Sequence, residues 1–250
     1  MTQQDKPLAG KTALVIGGSR GIGAGIAQRL ATAGANVSIT YAARSDAADA
    51  VVRACEALDV KAMAQQADAG DVASGRAVVD ATVKTLGGLD IFVYSAVANE
   101  MGDITAITEE GFDRVIAVNL KGLMFTAQAA VSHMQQGGRL ILISSVFSEM
   151  VPFPGLDLYT MSKSAMIGLT RAWARDLAEK GITVNCIQPG PVETDMNPLN
   201  GPLAQVLLPM TAIKRYGSVA EIAEMAAYLA HPLAGNVTGG IFDNDGGLSL

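Results

Sequence analysis

Tyr159 and Lys163 stand four residues apart in the stretch YTMSK, within a run of helical spacing. Positions i and i+4 share one face of a helix, so the ammonium can reach toward the phenol. A free phenol titrates at about 10 and moves protons poorly at neutral pH. An ammonium about 4 Å from a phenolate, at an effective dielectric of roughly 20, is worth roughly 4 kcal/mol, an upper-end lowering of about 3 in pKa. The sign favours the phenolate. On its own the pair is equally an exposed tyrosine and lysine with no coupling. A cofactor, a third polar group and a pocket must come from the rest of the chain.

The second chemically loaded stretch is IGGSRGIG, residues 16–23. Glycines let a backbone approach a ligand and turn sharply. The N-terminus of a following helix offers free N–H groups and a positive dipole end to a phosphate. The spacing is G-x-x-x-G-x-G, which differs from the G-x-G-x-x-G dinucleotide fingerprint. A tight turn uses the same glycines, but a place after a strand and before a helix favours a dinucleotide. The next strand ends in ITYAARS, residues 39–45, which contains no acid. An acid there would grip the ribose of NAD, whereas a cation suits the 2′-phosphate of NADP. Arg20 and Arg44 are spaced to clamp that phosphate by charge-assisted bonds, or to stand as solvated surface groups. NADP(H) is expected ahead of NAD(H).

These residues need a frame. Short apolar runs at 12–16, 37–41, 61–67, 91–94, 139–144, 183–187 and 238–243 read as strands. Helical spacing covers 22–33, 46–58, 71–86, 108–135 (one long helix or two joined), 159–179 and 219–230. Strict alternation implies βαβ units, a parallel sheet and helices on both faces. No linker divides the chain, so one domain spanning 1–250 is expected. The least regular region is 191–215, with Pro191, Pro198, Pro202, Pro209 and Gly201. So long a loop in a compact domain is commonly a lid.

Bulk composition removes other classes. Half of the 250 residues are hydrophobic, 17% are charged and the net charge is −6. That balance lacks the basic footprint of a nucleic-acid binder. Two cysteines, Cys55 and Cys186, make neither a disulfide framework nor a zinc site. His133 and His231 give little material for a metal site or a Ser-His-Asp triad. The opening MTQQDKPLAGK has no apolar secretion segment, and no unbroken apolar run reaches membrane-spanning length. A soluble, cytoplasmic protein with no metal and no membrane partner is expected.

The motifs GGSRGIG, Asn119 in AVNLKG, Ser145 after RLILIS, the Tyr159/Lys163 pair and QPGPVET at 188–194 occur in order along the chain. Together they resemble the short-chain dehydrogenase/reductase family over essentially the whole length. Its β-ketoacyl-carrier-protein-reductase-like members are the nearest in look, with a biofilm-dispersal branch suggested by the glycine loop and NPLNGP. The resemblance implies a Rossmann-like, doubly wound α/β fold with a seven-stranded parallel sheet. It implies a nicotinamide cofactor, hydride transfer at a carbonyl or secondary alcohol, and, in many members, a homotetramer.

The implied roles follow residue by residue. Tyr159 exchanges the proton at the substrate oxygen. Lys163 lowers the phenol's pKa and holds the nicotinamide ribose. Ser145, rather than its neighbour Ser144, bonds the substrate carbonyl, with Ser148 a lesser candidate. Asn119 supports a water-linked proton supply, or caps a local helix kink. The cofactor would touch Gly17, Ser19, Arg20, Gly21, Ile22, Gly23, Tyr41, Arg44 and Ser45. Further along it would meet Asp68, Ala69, Ser95, Ala96, Val97, Tyr159, Lys163, Pro189, Gly190, Val192 and Thr194. Asp68 serves equally as a helix N-cap. The substrate would meet Ser145, Val146, Met150, Tyr159 and Met196. Apolar residues at 196–210 suit a small, apolar carbonyl or alcohol, or simply pack on the core.

Two positions depart from the family pattern. Ile16 replaces a threonine whose hydroxyl would tie the glycine loop to a neighbouring strand. Tyr94-Ser95-Ala96-Val97 replaces Asn-Asn-Ala-Gly, which puts the backbone contacts of 95–97 in doubt. A reshaped loop in a working NADPH-dependent carbonyl reductase is expected. The other possibility is a nucleotide-binding regulatory protein with little turnover.

Overall fold

A computed structural model describes residues 6–250. The five outermost N-terminal residues of the MTQQDKPLAGK segment lie outside the described residues. Seven strands form one parallel sheet in the order β3-β2-β1-β4-β5-β6-β7. They are β1 (Thr12–Ile16), β2 (Asn36–Tyr41), β3 (Ala62–Gln66), β4 (Ile91–Tyr94), β5 (Arg139–Ile143), β6 (Thr183–Pro189) and β7 (Ile241–Asn244). The helices are α1 (Gly21–Thr32), α2 (Ser45–Glu56), α3 (Val72–Leu86), α4 (Glu109–Ile116), α5 (Leu123–His133), α6 (Asp157–Asp176), α7 (Pro202–Leu207) and α8 (Val219–Ala230).

The TALVI run of β1 is buried at all five positions. A strand covered on both faces has no need of polar alternation. Its side chains still alternate in destination. Ala13 and Val15 join a cluster with Ile26 and Leu30 of α1, Val51 of α2 and Ile222 of α8. Leu14 and Ile16 face the other way, toward Val79 of α3, Leu123 of α5 and Met166 of α6. Strand order reverses between β1 and β4, and open sheets bind ligands at the carboxyl edge of such a switch point.

Helix ends obey local chemistry. Asp71 caps α3 by accepting from the Ala73 and Ser74 N–H groups, and Gly87 closes it at φ 90. Ser218 and Glu221 form a reciprocal capping box at α8. Two departures from expectation stand out. Residues 109–133 are continuous, but Ala117–Gly122 is a π-helical turn between α4 and α5. That helix has 25 residues, and an 18-residue window of it reaches mean hydropathy 1.3, enough by length and composition to cross a membrane, although interrupted by charged residues in sequence. Here Leu123, Ala127 and Ala130 pack it on the sheet. Region 191–215 also carries more structure than its prolines suggested. Gly201-Pro202 starts α7, with proline at a first-turn position where its missing N–H is harmless.

Candidate active site

The glycine loop joins β1 to α1 at the switch point. Gly17 has φ 78, and a Cβ there would lie 2.8 Å from the backbone of Ala96. A Cβ on Gly23 would lie 2.2 Å from the Gly17 carbonyl oxygen. Both glycines are therefore demanded by close backbone approach. The hydroxyl lost at Ile16 is supplied from the other strand. Thr40 of β2 accepts from the Gly17 N–H through Oγ1 at 2.9 Å, and its carbonyl accepts from Gly18 at 3.0 Å. The exchange is invisible in sequence because residues 16 and 40 meet only through the parallel pairing of β1 with β2.

A cleft of about 340 Å³ opens from this loop along the sheet edge. Its lining includes the expected Gly17, Ser19, Arg20, Gly21, Ile22, Gly23, Tyr41, Ala69, Ser95, Ala96, Val97, Tyr159, Lys163, Thr194 and Met196. The replaced 94–97 segment thus still walls the cleft. Thr40, Ala42, Ala67, Val118, Ile143 and Asp195 also line it and were not anticipated; Ser144, passed over for its neighbour, lines it too, whereas Ser145 does not. A hydroxyl near the end of β2, at the second residue of ITYAARS, was the available signal for Thr40.

The cleft suits a nucleotide diphosphate. No side chain caps the first turn of α1, and no acid lies in that turn. Its N–H groups and dipole end are left to an anion. Arg20 stands at this end of the cleft.

Several expected contacts lie elsewhere. Arg44 is outside the cleft lining and makes a two-pronged pair with Asp46, Nε to Oδ1 at 2.9 Å and the terminal nitrogen to Oδ2 at 2.8 Å. Asp46 lies one residue past the acid-free segment, in the first turn of α2. The pair holds the Asp46 carboxyl down at about 2, and both side chains are about two-thirds exposed. The two-arginine clamp is therefore not assembled; Arg20 alone of the two meets the cleft. Ser45 begins α2 beside it. Asp68 is not the N-cap of α3, because Asp71 is; Asp68 Oδ1 accepts from Gly70 N–H at 2.8 Å. Asp68 lines a neighbouring hollow with Asp71, Ala98 and Arg114. Pro189, Gly190 and Val192 are adjacent to the cleft edge in sequence but outside its lining, because Gly190 packs on Asp245, where a Cβ would lie 2.5 Å from Cα.

The side chains expected to react come from three elements. Tyr159 and Lys163 lie on α6, with the Lys163 Nζ 5.7 Å from the phenol ring centroid. Lys163 is buried and donates to the Ile143 carbonyl at 2.8 Å. In return, Ser144 Oγ donates to the Lys163 carbonyl at 2.8 Å. Ser144 is thereby committed to α6, and the Ser145 hydroxyl lies near enough to the Tyr159 phenol to offset part of the effect of its burial. Ser145 Oγ also accepts from the Phe147 N–H at 3.2 Å. Ser148 is held by Gln188 of β6, which also donates to the Ser145 carbonyl at 3.1 Å.

Asn119 occupies the π turn and is fully buried. Its Oδ1 accepts from Ala98 N–H at 2.8 Å, and its Nδ2 donates to the Ala98 carbonyl and Ser162 Oγ, both at 2.9 Å. Ser162 continues to the Tyr159 carbonyl at 2.9 Å. Asn119 thus ties the loop after β4 to the start of the tyrosine helix.

The electrostatics differ from expectation. Burial pushes the Tyr159 phenol above its ordinary value, and Ser145 offsets this only in part. Burial pushes the Lys163 ammonium down to about 8. The Lys163 Nζ is turned to the Ile143 carbonyl, and burial costs both groups their water.

Val146 and Met150 fall outside the cleft lining. They pack with Ala204 and Leu207 of α7 and with Tyr216 and Leu248, beneath the 191–215 segment. Phe147 meets both Tyr159 and Phe153 edge-on, with centroids 6.3 and 6.0 Å apart. Cys55 and Cys186 are buried free thiols. Among the described residues no cluster of histidine, cysteine or acids is arranged for a metal.

Comparison with known proteins agrees with this geometry. Residues 16–249 match the family model described as enoyl-(acyl carrier protein) reductase. The chain is 41% identical over 241 residues to the cyclic-di-GMP-binding biofilm dispersal mediator protein of Escherichia coli strain K12, across 95% of this chain and 96% of that one. It is 37% identical over 243 residues to the 3-oxoacyl-(acyl-carrier-protein) reductase of Staphylococcus aureus, across 96% and 98%. A short chain dehydrogenase from Burkholderia cenocepacia, solved in complex with NADP, shares the fold at TM-score 0.96 and 41% identity, across 98% and 100%. With a parallel seven-stranded sheet, a glycine loop at its switch point and full-length relatives, the chain belongs to the short-chain dehydrogenase/reductase family of oxidoreductases.

Proposed function

We propose that the chain is an NADPH-dependent reductase of ketones or 3-oxoacyl groups, with Tyr159 as the general acid. The observation that carries this reading is the placement of Tyr159 and Lys163 at one end of a cleft whose other end is an uncapped helix N-terminus with Arg20, with Ser145 directly after the cleft-lining Ser144. NADPH, when bound, supplies the hydride. Arg20 and the first turn of α1 hold its phosphates. The Ser145 and Tyr159 hydroxyls bond the substrate oxygen and draw charge from the carbonyl. A phenol kept protonated by burial is ready to donate as negative charge develops on that oxygen. Lys163 stabilises the phenolate left behind. The 191–215 segment acts as a lid, and its exposed Met196 offers an apolar side to the substrate. The relative named as a 3-oxoacyl reductase and the neighbour solved with NADP support the substrate class and the cofactor.

The test is NADPH oxidation against ketones, diketones and acetoacetyl thioesters, comparing the unmodified protein with Tyr159→Phe. Turnover that vanishes in the variant supports the reading. Tight NADPH binding with no turnover on any substrate sinks it. That outcome would favour a nucleotide-binding regulator, a role consistent with the relative named for cyclic-di-GMP binding and biofilm dispersal. Calorimetric titration with cyclic-di-GMP measures that alternative directly.

A further inference from the structure

The geometry points to Tyr94 as a positioning residue that sets one wall of the nucleotide cleft. Tyr94 ends β4 beside Ile16 of β1, at the switch point of the sheet. Its side chain is fully buried against Leu123, Leu142 and their neighbours. A phenol so deep in the core must find an acceptor. It finds the backbone carbonyl of Val118 in the π turn, with the Ala69 carbonyl at 3.5 Å. Val118 and Ala69 both line the cleft.

The next residue of the π turn returns the contact. Asn119 holds the N–H and carbonyl of Ala98 at 2.8 and 2.9 Å. Residues 95–97 are therefore slung between two anchors on one turn, Tyr94 to Val118 and Ala98 to Asn119. Those three residues line the cleft, and Ala96 is the backbone against which Gly17 packs. The turn itself is pressed on Ala69, since a Cβ on Gly122 would lie 1.7 Å from the Ala69 oxygen. One phenol thus fixes the spacing of two cleft walls. Phenylalanine would fill the same space but leave the Val118 carbonyl buried and unpaired. Burial also raises the Tyr94 phenol, so the donor stays protonated throughout the working pH range.

This inference rests on the nucleotide-binding part of the proposed function and not on the carbonyl chemistry. The experiment is fluorescence titration of NADPH with Tyr94→Phe, Asn119→Ala and the double variant. Kd for NADPH should rise about tenfold in Tyr94→Phe, while kcat at saturating NADPH falls less than threefold. The double variant should lose less than the product of the two single losses, because both release the same loop. A Tyr94→Phe protein that melts earlier yet binds NADPH within twofold of the unmodified protein would overturn the role and leave Tyr94 a core filler. Multiplicative losses would do the same. Failure of the unmodified protein to bind NADPH would instead indict the proposed function. Hydrogen exchange on the unmodified protein keeps the inference open to refutation if Tyr94→Phe does not fold. NADPH should slow exchange across 95–98 and 117–122 together, and protection of one segment alone counts against the sling.

Discussion

The two ends of the cleft are built by different physics. The glycine-loop end is made of backbone. Gly17 and Gly23 remove Cβ atoms where chains nearly touch, the first turn of α1 is left uncapped, and a single hydroxyl from Thr40 pins the loop. The tyrosine end is made of buried side chains tied to backbone carbonyls: Lys163 to Ile143 and Ser144 to Lys163. A backbone cradle binds an anion but performs no proton transfer. A desolvated cluster of polar side chains holds protons at defined atoms, and removing one member leaves its partner unsatisfied. Binding and chemistry should therefore separate under mutation.

The largest expected effect tests that separation at the chemical end. Tyr159→Phe should lower kcat by about 10²- to 10⁴-fold, the usual worth of a general acid, with NADPH Kd changed less than about threefold. Steady-state kinetics alongside fluorescence titration reads both; a parallel loss of binding would merge the two ends. Next is the reverse case. Arg20→Ala should weaken NADPH about 10- to 100-fold and NADH little, since a charge-assisted bond to the 2′-phosphate is worth roughly 1.5–3 kcal/mol. Arg44→Ala should cost much less, because its guanidinium must first leave Asp46. If Arg44→Ala is the more damaging of the two, the phosphate lies on the other side of the loop. Thr40→Val strips the hydroxyl that accepts from Gly17 and should lower stability by about 1–3 kcal/mol in urea titration, with a several-fold weaker NADPH Kd.

The smallest effect is a pH dependence at the tyrosine end. Burial holds the Lys163 ammonium at about 8, below its ordinary 10.5. Between those values the unfolded chain binds more protons than the folded protein, so this group makes stability rise with pH across that interval. Tyr159 is shifted up instead, and its contribution is to lower stability only above about 10. Urea midpoints at pH 7.5 and 9.5 should therefore show the unmodified protein gaining on Lys163→Met. A gap that stays constant with pH would mean that the ammonium is not desolvated.

The chain showed most of its frame in advance, and for a simple reason. Strands buried on both faces must be apolar throughout, and helices between them must carry a 3.6-residue stripe, so both patterns are local. Asn119, Ser145, Tyr159 and Lys163 could be singled out because family motifs fix their spacing; of these, Tyr159 and Lys163 line the cleft. Thr40 and Gln188 were missed because each acts on a residue many positions away. Arg44 pairs instead with Asp46, one residue beyond the acid-free ITYAARS stretch. The π turn escaped notice because i→i+5 bonding leaves no separate sequence period, and α7 because its prolines read as loop.

What the sequence determined by itself was periodicity and residue type: a parallel α/β chain, a glycine loop at the first β–α junction, and a tyrosine one turn before a lysine. Tertiary structure decided which partner each polar group took. It turned Lys163 toward Ile143 rather than the phenol, gave Arg44 to Asp46, replaced a missing hydroxyl at Ile16 with one from Thr40, and set Tyr94 against a carbonyl of the π turn. Partner choice depends on distance and desolvation in three dimensions, and neither quantity is written in the order of the residues.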